Sequence, residues 1–88
     1  MKIKSTDMEK AKEVIDSIQI KGANVTKSDS IEVFDTSKEA NYFVFGECKN
    51  RFDAAMVVAS LEKIGYLSLV VFSGVGSYTI IIKIPKEY

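Results

Sequence analysis

Histidine is absent from the 88 residues of this chain. The imidazole ring is the commonest general base and metal ligand in proteins, so its absence removes the usual nucleophile pairs and the usual metal sites. Four carboxylates near predicted strand ends could form an acid–base pair, but nothing in their spacing brings them together; they are Glu32, Asp35, Glu47 and Asp53. We therefore predict that the protein is not an enzyme and needs no metal ion or cofactor.

Cysteine is also scarce, since Cys48 is the only one and cannot form an internal disulfide. Small secreted domains are usually rich in disulfides, and this composition therefore indicates a reducing, cytoplasmic location. Cys48 could be a reactive thiol, because it lies just before a predicted helix N-terminus and close to Lys49 and Arg51. A half-buried structural cysteine at the end of a strand is the interpretation that we favour.

A surplus of charge of one sign is lacking, because twelve basic residues balance twelve acidic ones. The chain therefore has no overall attraction for nucleic acid or anionic lipid. Arg51 is the only arginine beside eleven lysines, which leaves few bidentate groups for phosphates or carboxylates. No apolar run near Met1 has the length of a signal peptide or a membrane-spanning helix, and we expect a soluble chain that is complete from its first residue.

Apolar residues, by contrast, are abundant and make up 47% of the chain. A chain of 88 residues forms one domain, which we place over residues 1–88. A single core of this size is only marginally stable unless oligomerisation buries more surface. The composition therefore predicts a homodimer or a complex with another protein.

A first helix is predicted from its capping residues and its apolar spacing. Thr6 and Glu9 have the spacing of a capping box at its start, and Gly22 is its expected end. The buried side is marked by an apolar stripe, which consists of Met8, Ala11, Val14, Ile15 and Ile18.

A second helix is predicted over residues 51–64, with Asn50 as its cap and Asp53 as the acidic partner. One side suits packing on a sheet and carries Ala54, Val57, Val58, Leu61 and Ile64. The opposite, outer side is apolar as well and carries Phe52, Ala55, Met56 and Ala59. We interpret this outer side as a partner-binding surface. The alternative is that the alanines only favour the helix and that Phe52 folds back onto it.

Runs of β-forming residues predict strands, which turn residues separate. The runs are residues 2–4, 31–34, 42–45, 67–72 and 78–84. Residues 35–41 are a predicted hairpin loop, Gly46 is the expected end of the central strand, and residues 73–77 form a glycine-rich turn. The order is β-α-β-β-α-β with an added C-terminal strand. This order predicts an α+β fold, a ferredoxin-like split β-α-β sandwich with two helices on one face of an antiparallel sheet.

Several short motifs run through residues 42–85. They are Tyr42-Phe43-Val44-Phe45-Gly46, Lys49-Asn50-Arg51, Asp53-Ala54, Leu61, Gly65-Tyr66 and Gly76-Ser77-Tyr78. In these motifs the chain resembles the SPOR domain, a small ferredoxin-like module of bacterial envelope proteins. The resemblance implies a ferredoxin-like fold and binding of peptidoglycan glycan strands. The family usually has a polar residue near the position of Val44 and a basic residue at the position of Thr79.

Phe43 and Phe45 place two aromatic residues on one face of a strand, and this part of the chain also resembles an RNA-recognition motif. The resemblance implies that the two rings stack on bases if they are exposed to solvent. Aromatic residues on a central strand more often belong to the core, and the chain carries no net charge. We therefore do not expect nucleic acid as a partner.

The sequence is best interpreted as a small, non-enzymatic protein-binding or adaptor module that associates with itself. The contact would use the outer side of the second helix or the open face of the sheet. One alternative is a phage- or plasmid-type inhibitor that occupies a partner protein, and another is SPOR-like glycan binding. A further alternative is an ACT-like regulatory domain with a small ligand near Gly46, Asn50 and Arg51.

Overall fold

The structure, a computed structural model, describes residues 3–86. Its elements follow in the order α1 (Ser5–Ser17), β1 (Thr26–Lys27), β2 (Val33–Thr36), β3 (Ala40–Cys48), α2 (Arg51–Lys63), β4 (Ser68–Gly74) and β5 (Ser77–Pro85). The brief first strand predicted for residues 2–4 is not formed by Ile3 and Lys4, which precede α1 as irregular chain. Lys2 lies outside the described residues.

The strands of residues 3–86 form one antiparallel sheet in the order β1-β3-β5-β4, and β2 pairs with β3 beside β1. β1 and β2 are therefore two short segments of the same sheet edge. α2 connects β3 to β4 while β5 lies between them, as in a split β-α-β unit. The predicted α+β fold is confirmed, and the arrangement is compatible with a ferredoxin-like sandwich. The added C-terminal strand, β5, lies inside the sheet.

The core lies between the two helices and one face of the sheet. Phe43 on β3 is directly opposite Ile82 on β5, and both are fully buried. The stripe predicted for α1 is confirmed, because Ala11, Ile15 and Ile18 are buried in the same cluster. The rest of the buried cluster consists of Phe45, Cys48, Ala54, Val57, Leu61, Ile80 and Ile84. Burial of each large aliphatic or aromatic side chain contributes roughly 1.5–3 kcal/mol.

The ends of α1 differ from the prediction. Met8 N–H already donates to the Lys4 carbonyl at 3.1 Å, so Lys4 is the cap residue and Thr6 lies inside the first turn. The capping box at Thr6 is therefore wrong, and the Lys4 side chain makes no capping hydrogen bond. The predicted end at Gly22 is wrong as well, because Ile18 turns to an extended conformation that buries its side chain.

The hairpin between β2 and β3 is tighter than predicted. Ser37 N–H donates to the Ala40 carbonyl at 2.8 Å, which reduces the expected loop of residues 35–41 to residues 37–39. β2 is shifted accordingly and runs over Val33–Thr36. The expected end of the central strand at Gly46 is wrong, because β3 continues to Cys48 and stays paired with β5.

The start of α2 is confirmed in detail. The Asn50 side chain accepts from the Asp53 N–H at 2.8 Å, and the Asn50 amide donates to the Asp53 carboxylate at 2.8 Å. The helix ends at Lys63, one residue before the predicted end. Gly65 follows with a φ of 96°, in the left-handed region that glycine adopts without strain.

Candidate protein interface

The outer side of α2 is exposed, as the sequence predicted. Phe52 is 76% exposed and Met56 is 37% exposed, and Ala55 and Ala59 are exposed on the same side of the helix. Met56 lies against the loop before β1, because its Cε would be 3.7 Å from a Cβ added to Gly22. The outer side therefore offers one large free side chain, Phe52. Partner binding by these four residues stays a prediction.

The residues suggested for a small ligand do not line one site. Gly46 is buried beside β1, and a Cβ there would lie 2.5 Å from the Thr26 carbonyl oxygen, so close backbone approach explains this glycine. Asn50 lines a different groove, and its side chain is already hydrogen-bonded to Asp53. Arg51 is exposed and lines neither groove.

The groove beside Gly46 is lined mostly by polar residues and has a volume of about 420 Å³. Val44 and Thr79, the two positions that depart from the SPOR pattern, both line it. Thr79 is directly opposite Glu47, so an acidic side chain is the neighbour of the position where that family has a basic one. Within residues 3–86, no three or more His, Cys, Asp or Glu side chains are grouped to hold a metal ion.

Cys48 lies at the end of β3, as predicted for a structural cysteine, and it is fully buried where a half-buried position was expected. Burial raises the pKa of its thiol, and the carboxylates of Asp53 and Glu47 raise this pKa further. These effects oppose the stabilisation that a helix N-terminus gives to a thiolate. The environment of Cys48 is therefore unsuited to a nucleophilic thiol.

Phe43 and Phe45, the aromatic residues of the RNA-recognition resemblance, are both fully buried under the helices. Rings in the core cannot stack on bases, because stacking requires an exposed face. The interpretation of these two residues as core is confirmed.

The sheet face away from the helices has an apolar centre. Val44 and Ile81 are opposite each other on this face, and Ile81 is fully buried although it does not belong to the cluster under the helices. Tyr42 is half-buried beside them, and Leu69 on β4 is opposite Ile81. Lys83, which pairs with Tyr42, lies at one end of this open face.

β4 adds an exposed apolar surface to one edge of the sheet. We call this the hairpin surface, and its side chains are Leu67, Leu69, Val70, Phe72 and Val75. Phe72 remains 62% exposed even though its ring contacts Tyr78 at 5.4 Å between centroids. In the described part of the chain, β4 pairs with β5 alone, so its other edge is free.

The charge pattern of the sequence marks the segment of the hairpin surface, which the helical and strand periodicity had not predicted as an interface. Lys63 and Lys83 enclose residues 64–82, and none of these nineteen residues is charged. All twenty-four charged side chains of the protein therefore lie outside the segment that contains β4. The uncharged run is the sequence signal for this segment, and the strand order shows that its strand β4 lies at a sheet edge.

No protein-family model matches the chain, and no curated protein or solved structure is significantly similar to it. Neither helix within residues 3–86 combines the length and apolar character needed to cross a membrane.

Proposed function

We propose that this protein is a small, non-enzymatic protein-binding module that associates with itself. The observation that carries the proposal is the hairpin surface, whose apolar side chains are exposed within a segment that has no charge. Large contiguous apolar patches are rare on monomeric proteins and mark contacts with other proteins. A cytoplasmic location belongs to the same proposal and is supported by the free, buried thiol of Cys48.

The hairpin surface supports a contact better than the outer side of α2 does. Leu69 is opposite Ile81, so this part of the hairpin surface adjoins the apolar centre of the open face. Val70 and Phe72 lie on the face that carries the helices, because they are opposite Ile80 and Tyr78. The outer side of α2 exposes Phe52, but Met56 is partly covered by the loop at Gly22. We therefore place the contact at β4 and the adjoining open face.

The solution mass at several concentrations, measured by light scattering after gel filtration, tests this proposal. We expect the wild-type protein to have twice the 9.8 kDa mass of one chain. Leu69→Lys should give the single-chain mass, because it introduces a charge into the contact. Gln19→Lys adds the same charge at an exposed residue after α1, and Met56→Lys adds it to the outer side of α2. Both of these variants should remain dimeric.

Circular dichroism of every variant shows whether the fold is retained. A wild-type protein that keeps the single-chain mass at all concentrations would overturn self-association. A dimer that Met56→Lys abolishes and Leu69→Lys leaves intact would move the contact to the outer side of α2.

A further inference from the structure

We propose that two copies of this chain join through the free edges of β4, which pair antiparallel about a two-fold axis at Val70. This inference rests on the self-association proposed above and specifies how it is achieved. Main-chain hydrogen bonds would then connect the two sheets into one continuous antiparallel sheet.

The direction of the backbone N–H and C=O groups along β4 identifies Val70 as the centre of the free edge. Lys83 N–H donates to the Leu67 carbonyl at 2.9 Å, so Leu67 directs its backbone groups toward β5. Alternate residues of an antiparallel strand direct these groups to opposite edges. The register between β4 and β5 is regular over this part of the strand, which extends the alternation along β4. The residues whose N–H and C=O groups face away from β5 are Ser68, Val70 and Phe72.

The two edges of the sheet differ in how they are protected. The edge opposite β4 is divided between β1 and β2, its register shifts between Val33 and Asp35, and it carries the charges of Lys27 and Asp35. Interruptions, bulges and charges of this kind prevent edge-to-edge pairing. β4 is seven residues long and carries neither charge nor proline, and its own register shift comes only at its end, between Phe72 and Gly74. Its edge is therefore the one that can accept another strand.

A second copy of β4 is the partner that this edge fits. Pairing about a two-fold axis places Val70 opposite Val70 and Ser68 opposite Phe72, and no like charges meet because residues 64–82 have none. A charged partner strand would find no opposite charge here. α2 packs on β4, so the pairing also brings the two α2 helices side by side. This adds buried surface to the strand contact.

Val70→Pro is the first test, because it removes an N–H that makes no bond to β5. Proline is tolerated on an edge strand when its nitrogen faces solvent, so the monomer should keep its fold. We expect the mass to fall from the dimer to the single chain. Val70→Thr keeps both the N–H and the branched side chain, and should remain dimeric. A dimeric Val70→Pro protein would overturn pairing through β4.

A charge exchange tests the two-fold position and does not depend on the proline variant folding. Val70→Lys and Val70→Glu each place like charges opposite each other, and each should be monomeric alone. A mixture of the two, with one variant enlarged by a tag, should give a heterodimer of intermediate mass. Variants that remain dimeric alone, or a mixture that stays monomeric, would overturn this register.

The outcomes separate the two proposals. A wild-type monomer would overturn self-association itself. A wild-type dimer that persists in Val70→Pro, Val70→Lys and Val70→Glu would leave the proposed function standing and place the contact elsewhere.

Discussion

At the scale of single residues, Gly46 shows how one missing side chain positions a strand. A Cβ at Gly46 would meet the Thr26 carbonyl oxygen at 2.5 Å and the Lys27 Cα at 3.1 Å. Both are backbone atoms, so no side-chain rotation relieves the clash. We expect Gly46→Ala to displace β1 and to lower the free energy of unfolding by about 1–3 kcal/mol, measured by chemical denaturation.

Hydrogen exchange locates the effect of Gly46→Ala. Ser28 N–H donates to the Phe45 carbonyl at 3.0 Å beside the β1–β3 pair, so its exchange should accelerate when β1 moves. Gly65→Ala is the comparison, because a Cβ at Gly65 meets no atom within 4 Å and the cost there comes only from the positive φ. Unchanged Ser28 exchange and unchanged stability in Gly46→Ala would contradict the steric explanation.

Cys48 has a raised thiol pKa because it is buried and because Asp53 and Glu47 are nearby. We expect a thiol-alkylating reagent to react more slowly with the native protein than with the protein in denaturant at the same pH. Alkylation of native Cys48 should also accelerate at a higher pH than alkylation of a free thiol, whose pKa is about 8.5. The folded state holds this proton more tightly, so stability should fall as pH rises from the unfolded pKa to the higher folded pKa. Equal native and denatured rates would contradict burial.

At the scale of elements, the start of α2 is fixed by Asn50. Its side-chain oxygen satisfies the Asp53 N–H, and replacement of such a cap by alanine costs about 0.5–2 kcal/mol. We expect Asn50→Ala to lower the thermal midpoint and Asn50→Ser, which keeps an acceptor, to recover most of the loss. Asn50→Asp also keeps an acceptor, but it places a second carboxylate beside that of Asp53. An Asn50→Ala variant with the thermal midpoint of the wild type would show that the cap contributes nothing.

The sequence predicted α2 well because its boundary signals are local. Asn50 and Asp53 act within one turn, and Gly65 needs only its own φ. The predicted start of α1 was wrong because its cap residue, Lys4, makes no side-chain capping bond. The sequence therefore carries no capping signal at that position. The predicted end of β3 at Gly46 was wrong, because this glycine is needed for the close approach of β1. β1 is distant in sequence, so the contact leaves no local signal. Element boundaries set by neighbouring residues could therefore be predicted from the sequence, whereas boundaries set by tertiary contacts could not.

At the scale of the whole molecule, strand order decides which apolar residues are exposed. Periodicity identified the outer side of α2, including Phe52, because a helix exposes its faces in a regular way. It did not identify β4 as an edge, because β5 follows β4 in sequence but separates it from β3 in the sheet. A pair such as Leu69-Val70 would be buried in a central strand and is exposed at an edge. The strand order of the sheet was therefore needed to identify the candidate interface.

Self-association should make the stability of this small domain depend on its concentration. A dimer unfolds to two separate chains, so mass action favours the folded dimer as the protein concentration rises. A tenfold increase is worth roughly 0.7 kcal/mol per chain, which in a domain of this size raises the thermal midpoint by roughly 3–5 °C. We expect this rise for the wild-type protein in calorimetry, and none for Val70→Lys, which is folded but cannot pair. A wild-type midpoint that is independent of concentration would show that the exposed edge of β4 contributes nothing to the stability of the fold.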